Sequence, residues 1–217
     1  MEDTQYNKKE YVILGAGGLG RELESWTSQT LKFNDEYKLQ GFIDDNLNAL
    51  DDLQNNYKVL GRFQEDVILK YHNILLGIAD PIAKSVIHNK ILADGAEIIS
   101  FIHESAIIGK NSELGPGHIL CPFSLISCNV RIGKSVFLNL GSHIGHDAVI
   151  GDFSSIMANV DIGGGAIIGD NVFIGSNATI LPGIKIAANS RIGAGSVVLR
   201  NIKKSGTYFG NPAKMIY

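Results

Sequence analysis

Two different rules of hydrophobic spacing divide the chain. From residue 102 onward every sixth position is aliphatic: Ile102, Ile108, Leu114, Leu120, Ile126, Ile132 and so on through Ile192 to Val198, 17 positions in succession. The residue after each is often glycine (Gly109, Gly115, Gly133, Gly145, Gly151), and the fifth position of each hexad is mostly Ala, Ser or Val. A helix repeats every 3.6 residues and a β-sandwich strand every two, so neither holds a six-residue register this long. One large aliphatic, one turn residue and one small inward residue per hexad is the pattern of a parallel β-helix, whose short strands stack coil on coil. Three hexads per coil give between five and six coils over the 102 residues from 102 to 203, with no insertion. The spacing says nothing about the hand of the coil.

The first hundred residues follow a mixed rule. Residues 11–14 read as a short apolar strand, Gly15-Ala16-Gly17-Gly18-Leu19-Gly20 as a glycine turn, and residues 21–31 as an amphipathic helix. A second strand over 38–43 ends in Asp44-Asp45, a third over 74–78 runs into Asp80-Pro81, a helix follows over 82–92, and a last strand over 96–101 leads into the coils. The order β-α-β-β-α-β predicts a small parallel sheet. The fold class is therefore α/β plus all-β: a Rossmann-like N-terminal domain over 1–100, then a β-helix of hexapeptide repeats over 101–217.

The glycine turn sits where a dinucleotide fingerprint would, after a strand and before a helix, with Asp44 24 residues beyond Gly20. Glycines there let the backbone approach a pyrophosphate at a helix N-terminus. About 90 residues supply only one mononucleotide-binding half, which favours a nucleoside diphosphate over NAD; an empty structural turn is the third reading. Gly15, Gly17 and Gly18 are the candidate phosphate contacts. Asp44 and Asp45 are the candidate acceptors for ribose hydroxyls or a base N–H.

Charge and composition narrow the partners. Nineteen basic against 22 acidic side chains, with no basic cluster, lack the footprint of a nucleic-acid binder. No apolar run approaches a membrane span, and the opening Met1-Glu-Asp-Thr-Gln-Tyr-Asn-Lys-Lys-Glu10 is too polar for a secretory signal, so a cytoplasmic protein is expected. Cys121 and Cys128 fit neither a disulfide framework nor a zinc site and read as packing residues.

Of six histidines, His72 and His88 fall on the expected surface of the first domain and His103 at the junction. His118 occupies an inward fifth position, as a hydrogen-bonded core residue. His143 and His146 flank a turn without the histidine spacing of the β-helical zinc enzymes, so no metal is expected. His146 stands at an outward turn position with Asp147 beside it. An imidazole oriented by a carboxylate is the arrangement a general base needs, although such a pair on a surface turn often does nothing.

The unbroken hexads, the terminal Gly210-Asn211-Pro212-Ala213-Lys214 and the glycine-turn domain together resemble the hexapeptide acyltransferases of the NeuD/PglD type, over about residues 11–215. The resemblance implies left-handed β-helix homotrimers that acylate sugars with acetyl-CoA lying along the coils and the nucleotide held by the N-terminal domain. The stretch from His146 to Ser154 is similar to the family's catalytic segment. By that likeness His146 is the base, Asp147 its orienter and Asn139 a polar contact for the acceptor. Gly164 is a backbone donor to the thioester carbonyl, Ala194 a contact to the pantetheine arm and Lys214 a contact to a CoA phosphate. Ser155 stands where some members carry a second histidine at the acetyl-CoA site, and Leu19 where a histidine is common.

The implied activity is acetyl-CoA-dependent N-acetylation of a nucleotide-linked 4-amino-4,6-dideoxy sugar, carried on UDP or dTDP. O-acetylation of sialic acid or a related sugar, a dinucleotide-dependent enzyme and a non-catalytic scaffold are the alternatives.

Overall fold

A computed structural model of the chain describes residues 8–63 and 70–216. Residues 1–7, most of the polar N-terminal stretch, lie outside them. The chain forms two compact units, residues 1–78 with 87–99 and residues 79–86 with 100–217.

The first unit is a five-stranded parallel sheet in the order β3-β2-β1-β4-β5. Its strands are β1 (Lys9–Leu14), β2 (Tyr37–Ile43), β3 (Val59–Gly61), β4 (Asn73–Leu76) and β5 (Glu97–Ile98). Both faces of the central strands are covered, so Val12, Ile13, Phe42, Ile43, Ile74 and Leu75 are wholly buried. Their sequences accordingly read as continuous apolar runs. Helix α1 (Gly18–Gln29) starts inside the glycine run, three residues before the expected start at 21, and a separate short helix α2 (Leu31–Glu36) follows it. Helix α3 (Pro81–Ala93) buries Ile91 against β1 and β4 through a shared apolar cluster.

The first unit departs from the expected pattern in three places. The edge strand β3 carries only three residues, too few to show as a pattern. The strand expected over 96–101 is two residues of β5, and Phe101 belongs to the coils. His88, expected on the surface, is buried on α3 at 2% exposure, while His72 is exposed.

The second unit is a solenoid of two-residue strands, β6 (Phe101–Ile102) to β22 (Val197–Val198). Strands in the interior of the solenoid pair in parallel with the strands one coil before and after them: Ile126 lies beside Ile108 and Ile144, and Leu138 beside Leu120 and Ile156. The offset is 18 residues, three hexads per coil, and it builds three parallel sheets. The every-sixth aliphatics from Leu120 to Val198 form one continuous core. Fully burying each such side chain contributes roughly 1.5–3 kcal/mol. Ile102 and Ile108, in the first coil, remain about 40% exposed because no coil stacks below them in this unit.

The turns have their own register. The fourth residue of every hexad from Asn111 to Gly195 has positive φ, and six of the fifteen are asparagine and five glycine. These are the residue types that reach the left-handed region at least cost. Two buried serines at the fifth position, Ser142 and Ser154, hold successive coils together: Ser142 Oγ donates to the carbonyl of Met157 and accepts from the N–H of Val160, and Ser154 Oγ donates to the carbonyl of Gly169 and accepts from the N–H of Val172. Beyond the coils, β23 (Thr207–Phe209) joins the third sheet beside β21 (Arg191–Ile192), and β24 (Lys214–Met215) pairs with β23 antiparallel.

Candidate active site

His146 and Asp147 occupy the two corner residues of one turn, after β13 (His143–Ile144). Asp147 is in the left-handed conformation, φ 59°. This turn geometry swings its carboxylate alongside the preceding ring, and His146 Nδ1 lies 2.7 Å from Asp147 Oδ2. The other oxygen, Oδ1, accepts from the Asn129 side-chain amide at 3.2 Å. The His146 bond first, and the Asn129 bond second, hold the Asp147 carboxyl below its ordinary pKa. An ionised carboxylate can only accept, so the His146 nitrogen facing it is the protonated one. In the neutral ring, Nε2 then carries the lone pair. Both side chains are more than half exposed, as a group that meets a diffusing substrate must be.

The next coil completes the corner. Gly164 stands 18 residues after His146, and a Cβ placed on it would lie 2.6 Å from His146 Nε2 and 2.7 Å from Cε1. Glycine is what leaves room for the ring edge. The peptide chain locks the two turns together, with the N–H of Gly165 donating to the His146 carbonyl at 2.7 Å. The corner thus brings the edge of the imidazole against Gly164, whose own N–H makes no hydrogen bond among the described residues.

The other candidates fall into separate groups. Asn139 lies on the turn before β13, not on the His146 turn, and its Oδ1 accepts from the N–H of Leu140. Ala194 and the terminal segment come together: Ala194 is exposed on the turn after β21, and two residues on, Ser196 Oγ accepts from the N–H of Gly210. Phe209 packs where a side chain on Gly193 would stand. Lys214 is exposed on β24.

Ser155 is elsewhere in character. It is wholly buried, and its hydroxyl accepts from Lys84 Nζ at 2.8 Å, while the same ammonium reaches the Ser154 carbonyl at 3.3 Å. Ser155 is thus engaged by Lys84 inside the fold. Lys84 was not legible as a site residue; burial drives its pKa down to about 7 against the opposing pull of Asp80. Asp80 in turn pairs with Arg191 at 3.2 Å, so the segment 79–86 is tied to the third sheet at two points.

In the first unit the glycine turn is built tightly. A Cβ on Gly20 would run into the Gly15 carbonyl, and one on Gly15, whose φ is +103°, would lie 2.8 Å from the Gly77 carbonyl. Gly17 and Gly18 by contrast have open space at the Cβ position. No side chain caps α1, so the first N–H groups of the helix stay available. Asp44 is a clamp on this turn: Oδ2 accepts from the N–H of Ala16 at 2.7 Å and Oδ1 from the N–H of Asn46 at 2.8 Å. Asp45 reaches the N–H of Phe63 at 3.3 Å.

His118 is the buried core histidine expected, with Nδ1 2.7 Å from the Gly115 carbonyl and its pKa lowered by burial. Cys121 is buried, but Cys128 is exposed, since it falls at the outward third position of its hexad and not on a packing position. No group of three or more His, Cys, Asp or Glu side chains could hold a metal among the described residues, and no helix among them is long and apolar enough to cross a membrane.

Known proteins match the repeat and, in fold, most of the chain. Residues 165–200 match the family described as bacterial transferase hexapeptide (six repeats). A GDP-perosamine N-acetyltransferase of Escherichia coli O157:H7 is 32% identical over 135 residues, 60% of this chain; the match spans 59% of that curated relative's length. Among solved structures, WeeI from Acinetobacter baumannii AYE is 27% identical with a TM-score of 0.84, covering 96% of this chain and 100% of the other. PerB from Caulobacter crescentus, solved with CoA and GDP-perosamine, is 25% identical with a TM-score of 0.84 over 96% of this chain and 97% of the other. These likenesses bear out the resemblance to the NeuD/PglD-type sugar acyltransferases.

Proposed function

We propose that this chain transfers the acetyl group of acetyl-CoA to the amine of a nucleotide-linked 4-amino-4,6-dideoxy sugar. The observation that carries the reading is the His146 turn, with an oriented imidazole against Gly164, a residue whose backbone N–H makes no hydrogen bond among the described residues. The names of two relatives support the acceptor class, and both specify a GDP-linked sugar where UDP or dTDP was expected. Guanosine is therefore the first carrier to test.

In the proposed reaction the neutral amine attacks the thioester carbonyl and forms the C–N bond. His146 Nε2 takes the proton lost by the amine, and the Gly164 N–H donates to the oxygen on which negative charge develops. Collapse expels the CoA thiolate, which takes up a proton, leaving the amide. No covalent acyl-enzyme is needed, because an amine is nucleophilic enough to react directly. Asp147 keeps the Nδ1 proton in place, so that Nε2 remains the acceptor.

The segment about Ala194 and Gly210-Asn211-Pro212-Ala213-Lys214 fits the CoA chain: the exposed backbone at Ala194 suits an extended pantetheine arm, and the Lys214 ammonium suits a phosphate. The nucleotide is assigned to the glycine turn, with Gly15, Gly17 and Gly18 at the diphosphate. The sheet order places that turn at the point where strand order reverses, the usual crevice for such ligands. Asp44 acts there by shaping the turn, which leaves Asp45 as the carboxylate for the nucleoside. Asn139 is assigned to the acceptor sugar, and the coil to the left-handed, homotrimeric class of the family.

The reading is tested by thiol release from acetyl-CoA with GDP-, UDP- and dTDP-linked 4-amino sugars and free sialic acid. Turnover with one amino sugar is the expected result. Turnover with sialic acid alone would replace it with O-acetylation, and no acetyl-CoA binding would replace it with a scaffold.

A further inference from the structure

We infer that Asn129 and Asn111 are positioning residues for the base, forming with Asp147 a three-rung amide ladder that fixes which nitrogen of His146 carries the proton. The inference rests on His146 being the base, as proposed above.

The three side chains occupy the same turn position in successive coils, 18 residues apart, each at φ 59°. Asn111 Nδ2 lies 3.3 Å from Asn129 Oδ1, Asn129 Nδ2 lies 3.2 Å from Asp147 Oδ1, and Asp147 Oδ2 lies 2.7 Å from His146 Nδ1. The direction of every bond follows from the last one. A carboxylate accepts only, so Asn129 must turn its NH₂ toward Asp147 and its carbonyl toward Asn111, which must then donate. All amide dipoles point at the carboxylate, an alignment in which each bond strengthens the next.

Asparagine at these turns is ordinarily explained by the left-handed backbone alone. Two features go beyond that. The rung at 147 is an aspartate, a charged acceptor that an asparagine below it can satisfy. The ladder also stops there: the next rung is Gly165, so both oxygens of Asp147 are committed, one to the ladder and one to His146. With Oδ1 held, the carboxylate cannot rotate away from the ring. Without that hold, the exposed pair is free to part, and a released imidazole returns to the tautomer mixture set by water.

The backbone conformation offers a clean test, because glycine keeps positive φ while deleting the amide. We would label the histidines with ¹³C and ¹⁵N and read the His146 tautomer by NMR at a pH where imidazoles are neutral. Asn129→Gly and the control Asn189→Gly, another left-handed turn at φ 60°, are compared with wild type. The expected result is Nδ1–H in wild type and in the control, and a shift toward Nε2–H in Asn129→Gly, with a smaller shift in Asn111→Gly. For acetyl transfer, kcat is expected to fall about 3- to 10-fold in Asn129→Gly with the acetyl-CoA KM unchanged. A wild-type Nε2–H tautomer, or an Asn129→Gly spectrum identical to wild type, would overturn the inference. A tautomer shift in a protein that acetylates none of the acceptors would sustain the ladder and sink the function proposed for it.

Discussion

His146 Nε2 lies 2.6 Å from the point where a Cβ on Gly164 would stand. The residue one coil further along the corner therefore determines whether the ring can occupy its place. Gly164→Ala has an ordinary backbone conformation available, so the solenoid should fold while the ring is displaced. A displacement of about 1 Å at a reacting centre costs up to ~10²-fold in rate. We expect kcat for acetyl transfer to drop by that order with the melting temperature little changed. A fully active Gly164→Ala would show that the ring does not work from this position.

Asp147→Asn isolates the charge of the orienting group. Asparagine tolerates φ near 59°, as it does at neighbouring turns, so no folding defect is expected. The amide can present its NH₂ to Nδ1, and that would favour the wrong tautomer. Activity should fall ~10- to 10²-fold with acetyl-CoA binding retained. Rates equal to wild type would remove Asp147 from the mechanism.

The buried Lys84 gives stability a pH dependence of known sign. Its folded pKa is about 7, against 10.5 for the free amine. Between these values the unfolded chain holds the proton that the folded chain lacks, so stability rises with pH across that window and is flat below it. The slope should be on the order of 1 kcal/mol per pH unit. Urea unfolding from pH 7 to about 10 should show it in wild type and not in Lys84→Met. Parallel pH curves for the two proteins would contradict the assignment.

The glycine turn separates packing from binding. Gly20→Ala drives a methyl into the Gly15 carbonyl and should destabilise the first unit, visible as a lowered melting transition. Gly17→Ala meets nothing within 4 Å and should fold normally. If a diphosphate lies against that open face, Gly17→Ala weakens GDP binding by calorimetry about tenfold. Unchanged affinity would place the nucleotide elsewhere.

Much of this arrangement is legible in the order of residues. Burial of every sixth aliphatic gives the coil, and its length follows from three hexads per turn. The companion signal, asparagine or glycine at the fourth position, is equally readable and marks Asp147 as a left-handed turn residue by its register alone. What the order of residues does not disclose depends on contacts between distant segments. Lys84 and Ser155 meet across 71 residues, and neither type announces a buried hydrogen bond. That the two oxygens of Asp44 accept from the N–H groups of Ala16 and Asn46 likewise shows only in the fold. The three-residue β3 is too short for any period to show.

The proposed reaction turns on His146 removing the proton of an attacking amine. His146→Ala and wild type are to be assayed for thiol release with the preferred amino sugar, while acetyl-CoA affinity is measured separately by calorimetry. A kcat lowered ~10²-fold or more with unchanged acetyl-CoA affinity is the expected outcome. A variant that keeps more than about half of the wild-type kcat would exclude His146 as the base, because general-base catalysis contributes far more than that.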